Sequence, residues 1–527
     1  VELLALVFAV TLGGVGATSL FPTTVQTDHY SAEVRLSLLP TLTSTIHSPT
    51  SFGDLDLEFA SPFLAPGVDA TIQARDTITQ LFDDRRVSIE TLQPSSKEIS
   101  DAVGSGVTEL GLKFTGGALV VGVAVIALIA YARRRRPTLR QVASTGIAVV
   151  LAIGGTGAGV VGTYQPGQLS SFRTTGLLGT VRSNAGLLAG VEARAEQVTP
   201  YVKNLLALSA ALQEKFIPAE ITKPPAARFL LVSDIHGANQ YPVMKRIIDD
   251  EQITAVIDSG DLVNFGSVTE AEVSGIFTSI EKLGVPYFFV RGNHDANSLD
   301  DQALLARMAR IKNVVLLEPT PQTYTEVSVN GVVVAGFNDP RFFGDDNKNN
   351  NQKQQPAADA FNRAYADRPR PDMVVSHEPA AARMVDSATL LVNGHLHKSE
   401  LEGNRIGVGT FTGGGVVSHF LLDKQGLLDK QGLLDKQGLV DQQGVVNGSG
   451  DQSGELRGQP YAFDIAVFGQ SCDLTSVTRY TYRNLIQGRP AYDDVRVING
   501  KTIATREPGK RTCAADQGMS RTTVTLR

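Results

Sequence analysis

Three stretches of the chain are apolar almost without interruption: residues 1–20, 115–132 and 145–164. Roughly 20 consecutive apolar residues cross the hydrocarbon core of a bilayer as a helix, so each stretch predicts a transmembrane helix. The second and third are rich in Gly, Ala, Val and Ile, the style of helices that pack closely in lipid. The first has the length of a secretory leader, but no basic lead-in precedes it and no small-x-small cleavage site follows. It is expected to be a retained span.

Between the first two spans the pattern changes to alternation. Ala32, Val34, Leu36 and Leu38 share one face of residues 30–38, and Leu55, Leu57 and Phe59 repeat the pattern. Such alternation predicts half-buried strands, and a helix is expected over residues 69–82. Residues 21–114 are thus expected to form a small, mainly-β module, with His29 and His47 in solvent-facing loops. After the third span, residues 165–225 begin as a polar linker. From residue 184 to 216 they continue with apolar positions at helical spacing, broken at Pro200. A stalk between membrane and main domain is expected.

From residue 226 the chain carries short apolar runs (229–232, 255–257, 287–290, 373–375 and 390–392) that read as buried strands. Residues 240–250 and 269–283 predict crossover helices after the first two, a βαβ beginning. Residues 345–355 are polar and predict a solvated loop. A hexapeptide repeat, Leu-Leu-Asp-Lys-Gln-Gly and its variants, fills residues 421–450. It has too few units to bury a solenoid core and is expected to be a surface excursion. From residue 451 onward, β-like runs predict an extension of the main domain, whose core is expected over residues 226–420.

Composition adds two restrictions and one orientation. The net charge is −6 and there is no Trp, so a broad nucleic-acid-binding surface is not indicated. The two cysteines, Cys472 and Cys513, carry no metal-ligand spacing and are open to either a disulfide or two free thiols. Residues 133–144, between the second and third spans, hold Arg133, Arg134, Arg135, Arg136 and Arg140. Short arginine-rich loops stay on the cytoplasmic side. The N-terminus is then expected inside, and residues 21–114 and everything after residue 164 outside. The chain is expected to be a multi-pass cell-membrane protein with its lipid partner the bilayer and the domain after residue 226 extracytoplasmic.

Each apolar run after residue 226 ends in polar residues: Asp234-Ile-His236, Gly260-Asp261-Leu-Val-Asn264, Gly292-Asn293-His294-Asp295, His377 and Gly394-His395-Leu-His397. Singly, each is a common turn, cap or structural histidine. Yet five of the eight histidines of the chain lie at these stations. Open α/β sheets place ligands beyond strand C-termini. Oxygen and imidazole donors without thiolate suit Mn, Fe or Zn.

These stations, in this order, resemble the calcineurin-like metallophosphoesterase family, in a membrane-anchored bacterial form. The resemblance covers residues 226–420. It implies a four-layer α/β/β/α sandwich holding two divalent metal ions, with Asp234, His236 and His397 binding one and Asn293, His377 and His395 the other. Asp261 would bridge them, His294 would act beside the metals, and Asp295 would orient it. A bridging carboxylate is needed because only it offers two anionic oxygens to two cations. The expected activity is hydrolysis of a phosphomonoester or phosphodiester by a dimetal-activated hydroxide. A cyclic-nucleotide phosphodiesterase and a non-catalytic phosphate-ligand sensor on the same fold remain open.

Overall fold

The computed structural model describes the chain apart from residues 1, 28–29, 38–43, 51–52, 61–64, 75–94, 177–178, 180–220, 222, 346–347, 387, 416–459, 487, 505–510 and 527. The expected stalk helix, the hexapeptide repeat, His29 and His419 lie outside the described residues. The chain divides into two compact units, Val1–Thr222 and Lys223–Arg527.

The first unit holds the three apolar helices Glu2–Leu20, Ser96–Arg133 and Leu139–Thr163, each long and apolar enough to cross a membrane. Val10, Val15, Phe114, Ala118, Val149 and Ala152 form the core they share. The second helix starts well before residue 115, inside the stretch expected to be mainly β. Ser95 and Glu98 make a reciprocal capping box there, satisfying donors that would otherwise be orphaned at the helix start. Among the described residues, six strands complete the unit: β1 (Thr23–Gln26), β2 (Tyr30–Ser37), β3 (Thr45–Thr50), β4 (Gly53–Phe59), β5 (Gly67–Ala74) and β6 (Leu169–Thr175). They lie in the order β1-β2-β5-β3-β4-β6.

Two expectations fail in this unit. Residues 69–74, expected to be helical, belong to β5, which pairs with β2 along its whole length, Tyr30↔Ala74 to Ser37↔Gly67. Val68, Thr71 and Ile72 are β-branched and favour that outcome. His47 lies in strand β3, not a loop, and its Nδ1 is 2.6 Å from Asp56 Oδ1 on β4.

Among the described residues, the second unit contains two sheets. The first runs β19 (Arg489–Asn499), β18 (Leu474–Ile486), β17 (Tyr461–Phe468), β7 (Ala227–Val232), β8 (Ala255–Asp258), β9 (Tyr287–Phe289), β10 (Val314–Leu316). Strands β7 to β10 are parallel, and β17 joins β7 antiparallel. The second runs β15 (Glu400–Glu402), β16 (Arg405–Gly407), β14 (Leu390–Asn393), β13 (Met373–Val375), β12 (Val332–Gly336), β11 (Thr323–Val329), β20 (Met519–Thr525). Residues beyond 451 therefore lengthen both sheets.

Alternation along the strands sorts three cores. Phe229 and Leu231 of β7 join Val334, Val375 and Val392 of the other sheet. Leu230 and Val232, one residue out of step, join Met244, Ile247, Phe277 and Leu305 from helices. On the far side of the second sheet, Phe337, Val374 and Leu391 pack with Ala358, Phe361 and Tyr365. Since successive strand residues face opposite ways, the two faces of each sheet feed different cores.

The crossover helix Tyr241–Asp250 forms where expected, but the second is broken into Val268–Val273 and Ile276–Glu281. Gly275 between them has φ 71°, a left-handed conformation that ends a right-handed helix. The polar stretch 345–355 is also no simple loop. From residue 350 it forms the helix Asn350–Tyr365. Its first turns are polar, so no apolar stripe announces them; Ala358, Phe361 and Tyr365 further along anchor it to the core.

Candidate metal centre

Every station emerges where a parallel strand ends. Asp234 and His236 follow β7, Asp261 follows β8, Asn293 to Asp295 follow β9, His377 follows β13, and His395 and His397 follow β14. The chain must turn sharply at these points to present side chains. Asp234, His236, Asp261, His395 and His397 all have φ between 47° and 73°. Left-handed backbone is uncommon for residues with a Cβ, and its concentration here marks strain held by the surrounding fold.

Two clusters result. Asp234, His236 and His397 bring one ligand atom each within 4.8 Å of one another, and so do Asp261, His377 and His395. His236 Nε2 and His397 Nε2 face each other at 2.9 Å. His397 Nε2 is 3.3 Å from Asp234 Oδ1. In the second cluster His377 Nε2 lies 3.1 Å from Asp261 Oδ2 and 3.1 Å from Asn293 Oδ1. Asp261 Oδ2 is also 3.9 Å from His236 Nε2, so this carboxylate stands between the clusters.

Electrostatics keep the carboxylates ionised. Burial alone would raise Asp234 and Asp261, yet the charge of His397 holds the first well below the usual range and that of His377 the second. Burial would lower His377, but the adjacent Asp261 pushes it up to about 10. Burial lowers His395, which favours the neutral imidazole that a cation needs. The donor set fits two cations. Asp234 Oδ1 is buried and makes no well-aligned hydrogen bond, with His397 Nε2 at 3.3 Å and His236 Nε2 at 3.8 Å, an oxygen and two imidazole nitrogens grouped as a cation's donors would be.

The loops are braced by residues with no metal role. Asn264 Nδ2 donates to the His236 carbonyl at 2.7 Å and to Glu270 Oε1 at 2.6 Å. Thr410 Oγ1 donates to the Asp234 carbonyl at 2.8 Å, and Thr412 Oγ1 to that of Ile235 at 2.8 Å. Gly394 leaves room for its neighbours: a Cβ there would sit 1.8 Å from Ser233 Oγ and 2.7 Å from Asp234 Oδ2.

Asp295 does not orient His294. Its oxygens accept from the backbone N–H groups of Asp261, Leu262, Val263 and Gly292 at 2.7–3.2 Å, tying the β8 and β9 loops together. His294 is instead fixed by its Nδ1, which donates to the Asn264 carbonyl at 2.6 Å. Its ring lies edge-on to His236 at 5.0 Å and 5.5 Å from Phe343. Phe343 and its neighbour Phe265 are exposed.

Sequence reading also missed an ionic group beside the second cluster. Arg341 donates to Asp339 Oδ2 at 2.8 Å and to Glu378 Oε2 at 2.6 Å, and His395 Nε2 lies 3.2 Å from the same glutamate oxygen. Glu378 adjoins His377 and could have been suspected; nothing along the chain marks Arg341.

The sequence model of the calcineurin-like phosphoesterase family matches residues 227–399. This region is a calcineurin-like phosphoesterase domain. It is a hydrolase of phosphoric ester bonds, of a family that works with a dimetal centre. No curated protein matches the chain by sequence. Among solved structures, the chain is similar to a dimetal phosphatase from Danio rerio, at 11% identity and TM-score 0.31 over 53% of this chain and all of that one. It is also similar to a purple acid phosphatase from yellow lupin seeds, at 13% identity and TM-score 0.28 over 52% of this chain and 54% of that one. The phosphoesterase domain thus includes every station from Asp234 to His397.

Proposed function

We propose that the chain is a membrane-anchored, extracytoplasmic phosphoesterase that hydrolyses a phosphomonoester or phosphodiester. The observation that carries this reading is the place of Asp261, within 3.1 Å of His377 in one donor cluster and 3.9 Å of His236 in the other. Asp234, His236 and His397 would hold one cation, Asn293, His377 and His395 the second, and Asp261 would join both. Bound there, two divalent cations supply charge neutralisation for the phosphoryl group and an activated water.

The remaining chemistry belongs to the protein. With Nδ1 held by the Asn264 carbonyl, His294 presents Nε2 toward the cleft and holds a proton there for the departing oxygen. Phe265 and Phe343, exposed beside it, offer an apolar face to the organic part of the ester. Burial of the Asp234, Asp261 and His377 side chains excludes competing water from the donors.

Orientation rests on the arginine loop. Residues 133–140 are all exposed and join the second and third apolar helices, which supports a cytoplasmic loop. The first unit then serves as the anchor and Lys223–Arg527 as the catalytic unit.

The test is turnover of p-nitrophenyl and bis-(p-nitrophenyl) phosphate by the full chain in detergent with Mn, Fe or Zn. Asp261→Asn and His294→Ala are each expected to lower kcat by about 100-fold or more. Unchanged turnover in both variants overturns the mechanism. A reporter fused after residue 527 that is active only in the cytoplasm overturns the orientation.

A further inference from the structure

The first unit contains a cavity of about 570 Å³ that has no part in phosphoester chemistry. One wall is the inner face of the sheet, including Val34, Leu36 and Leu57; the other is formed by Val107, Phe114 and Val160 of the two long helices. Ligand pockets commonly measure about 300–1,000 Å³, so the volume admits a sizeable molecule. Among the described residues lining it, none is charged. An ionised carboxylate or phosphate inside would have no counter-charge, at a large desolvation cost. The occupant is therefore hydrocarbon over most of its length.

A second observation singles out one of the hydroxyl groups on the lining, which also includes those of Tyr30, Thr115 and Thr156. Ser48, on β3, lines the cavity and is 2% exposed, and its Oγ has no hydrogen-bond partner. Ile46 shares its face, two residues away, and also lines the cavity. A hydroxyl buried in an apolar wall is costly unless something accepts its proton. The occupant must bring a neutral acceptor to that spot.

The walls indicate where such a molecule comes from. The lining residues Phe114, Ile153 and Val160 belong to helices long and apolar enough to cross a membrane. Val107 and Val161, also on the lining, are exposed on these same helices. The lining of the cavity thus reaches the exposed outer surface of these helices. We propose that this cavity is a lipid site, taking the acyl chain of a membrane glycerolipid, with Ser48 donating to its ester carbonyl. The inference is independent of the phosphoesterase reading.

Photolabelling tests it. The full chain is reconstituted in vesicles of phosphatidylethanolamine and phosphatidylglycerol doped with phosphatidylcholine bearing a diazirine on its acyl chain. Adducts are then mapped by mass spectrometry. The proposal expects adducts on β3 and β4 residues as well as on the spans. Ala70→Phe, which fills the cavity from β5, should abolish the sheet adducts while leaving those on residues 119–132 as an internal control for folding and insertion. Ser48→Ala should reduce the sheet adducts about threefold to tenfold, the worth of one net hydrogen bond. Adducts confined to the spans, or sheet adducts untouched by both variants, overturn the proposal. Should Ala70→Phe fail to insert, the Ser48→Ala yield decides alone.

Discussion

Glu378 Oε2 lies 3.2 Å from His395 Nε2, and Arg341 holds that same oxygen at 2.6 Å. All three side chains are at least four-fifths buried. With Nε2 engaged by the carboxylate, Nδ1 is the His395 nitrogen left for a cation. A carboxylate behind a metal-binding imidazole fixes the ring and raises its basicity. Arg341, also paired with Asp339, holds Glu378 in this position.

Glu378→Ala should therefore weaken metal binding by about 10- to 100-fold, read by titration calorimetry of the full chain with Mn or Zn. Glu378→Gln, which keeps a hydrogen bond but not the charge, should fall between that variant and the parent. Equal affinities for all three proteins would show that the glutamate has no influence on the site.

Gly394→Ala is expected to impair the centre although no donor is removed. A methyl group 1.8 Å from Ser233 Oγ must displace either that residue or the adjoining Asp234. Overpacking of this kind costs about 1–3 kcal/mol. Thermal melting should show the loss, and metal affinity should fall with it.

Phe343 stands beside His294 at 5.5 Å between ring centres and is exposed. Stacking on an aromatic leaving group is worth about 0.5–1.5 kcal/mol. Phe343→Ala should raise KM for p-nitrophenyl esters by about threefold to tenfold and leave kcat nearly unchanged. A fall in kcat with KM constant would assign Phe343 to orienting His294 instead.

Asp258 is fully buried, accepting from Tyr287 and from the Gly260 N–H. Burial pushes its carboxyl well above the usual range, outweighing those two hydrogen bonds. A raised folded-state pKa means that the folded protein binds the proton more tightly than the unfolded one. The resulting stability is fully present below the unfolded value of about 4 and is lost as pH rises toward the folded value. Asp258→Asn should flatten that decline in a series of melting curves across pH. Parallel profiles for the two proteins would refute the assignment.

Cys472 and Cys513 are bonded, across a sequence separation of 41 residues. They tie the β17–β18 turn to the segment that leads into β20, and so link the additions to both sheets. Replacing both with Ser should destabilise the second unit by about 2–4 kcal/mol, measured by denaturant unfolding under non-reducing conditions.

The donors were legible because their chemistry is local. Short β-branched runs ending in Asp, His or Asn announce themselves without any knowledge of their neighbours, and three unbroken apolar stretches announce helices that can cross a membrane. Helix starts were less legible. The capping box at Ser95 and the polar opening turns of Asn350–Tyr365 carry no apolar stripe, so periodicity placed the first boundary too late and read the start of the second helix as a loop.

Sequence alone determined which atoms could bind cations, their order, and the apolar character of three helices long enough to cross a membrane. Only the tertiary structure decided who stands behind them: Asp295 on four backbone N–H groups instead of on His294, Arg341 and Glu378 on His395, and Ser48 unpartnered in the wall of an uncharged cavity. The physical reason is reach. A side chain's donor character is a property of one residue, whereas its partner is set by loops from distant strands meeting within about 3 Å, the length of a hydrogen bond.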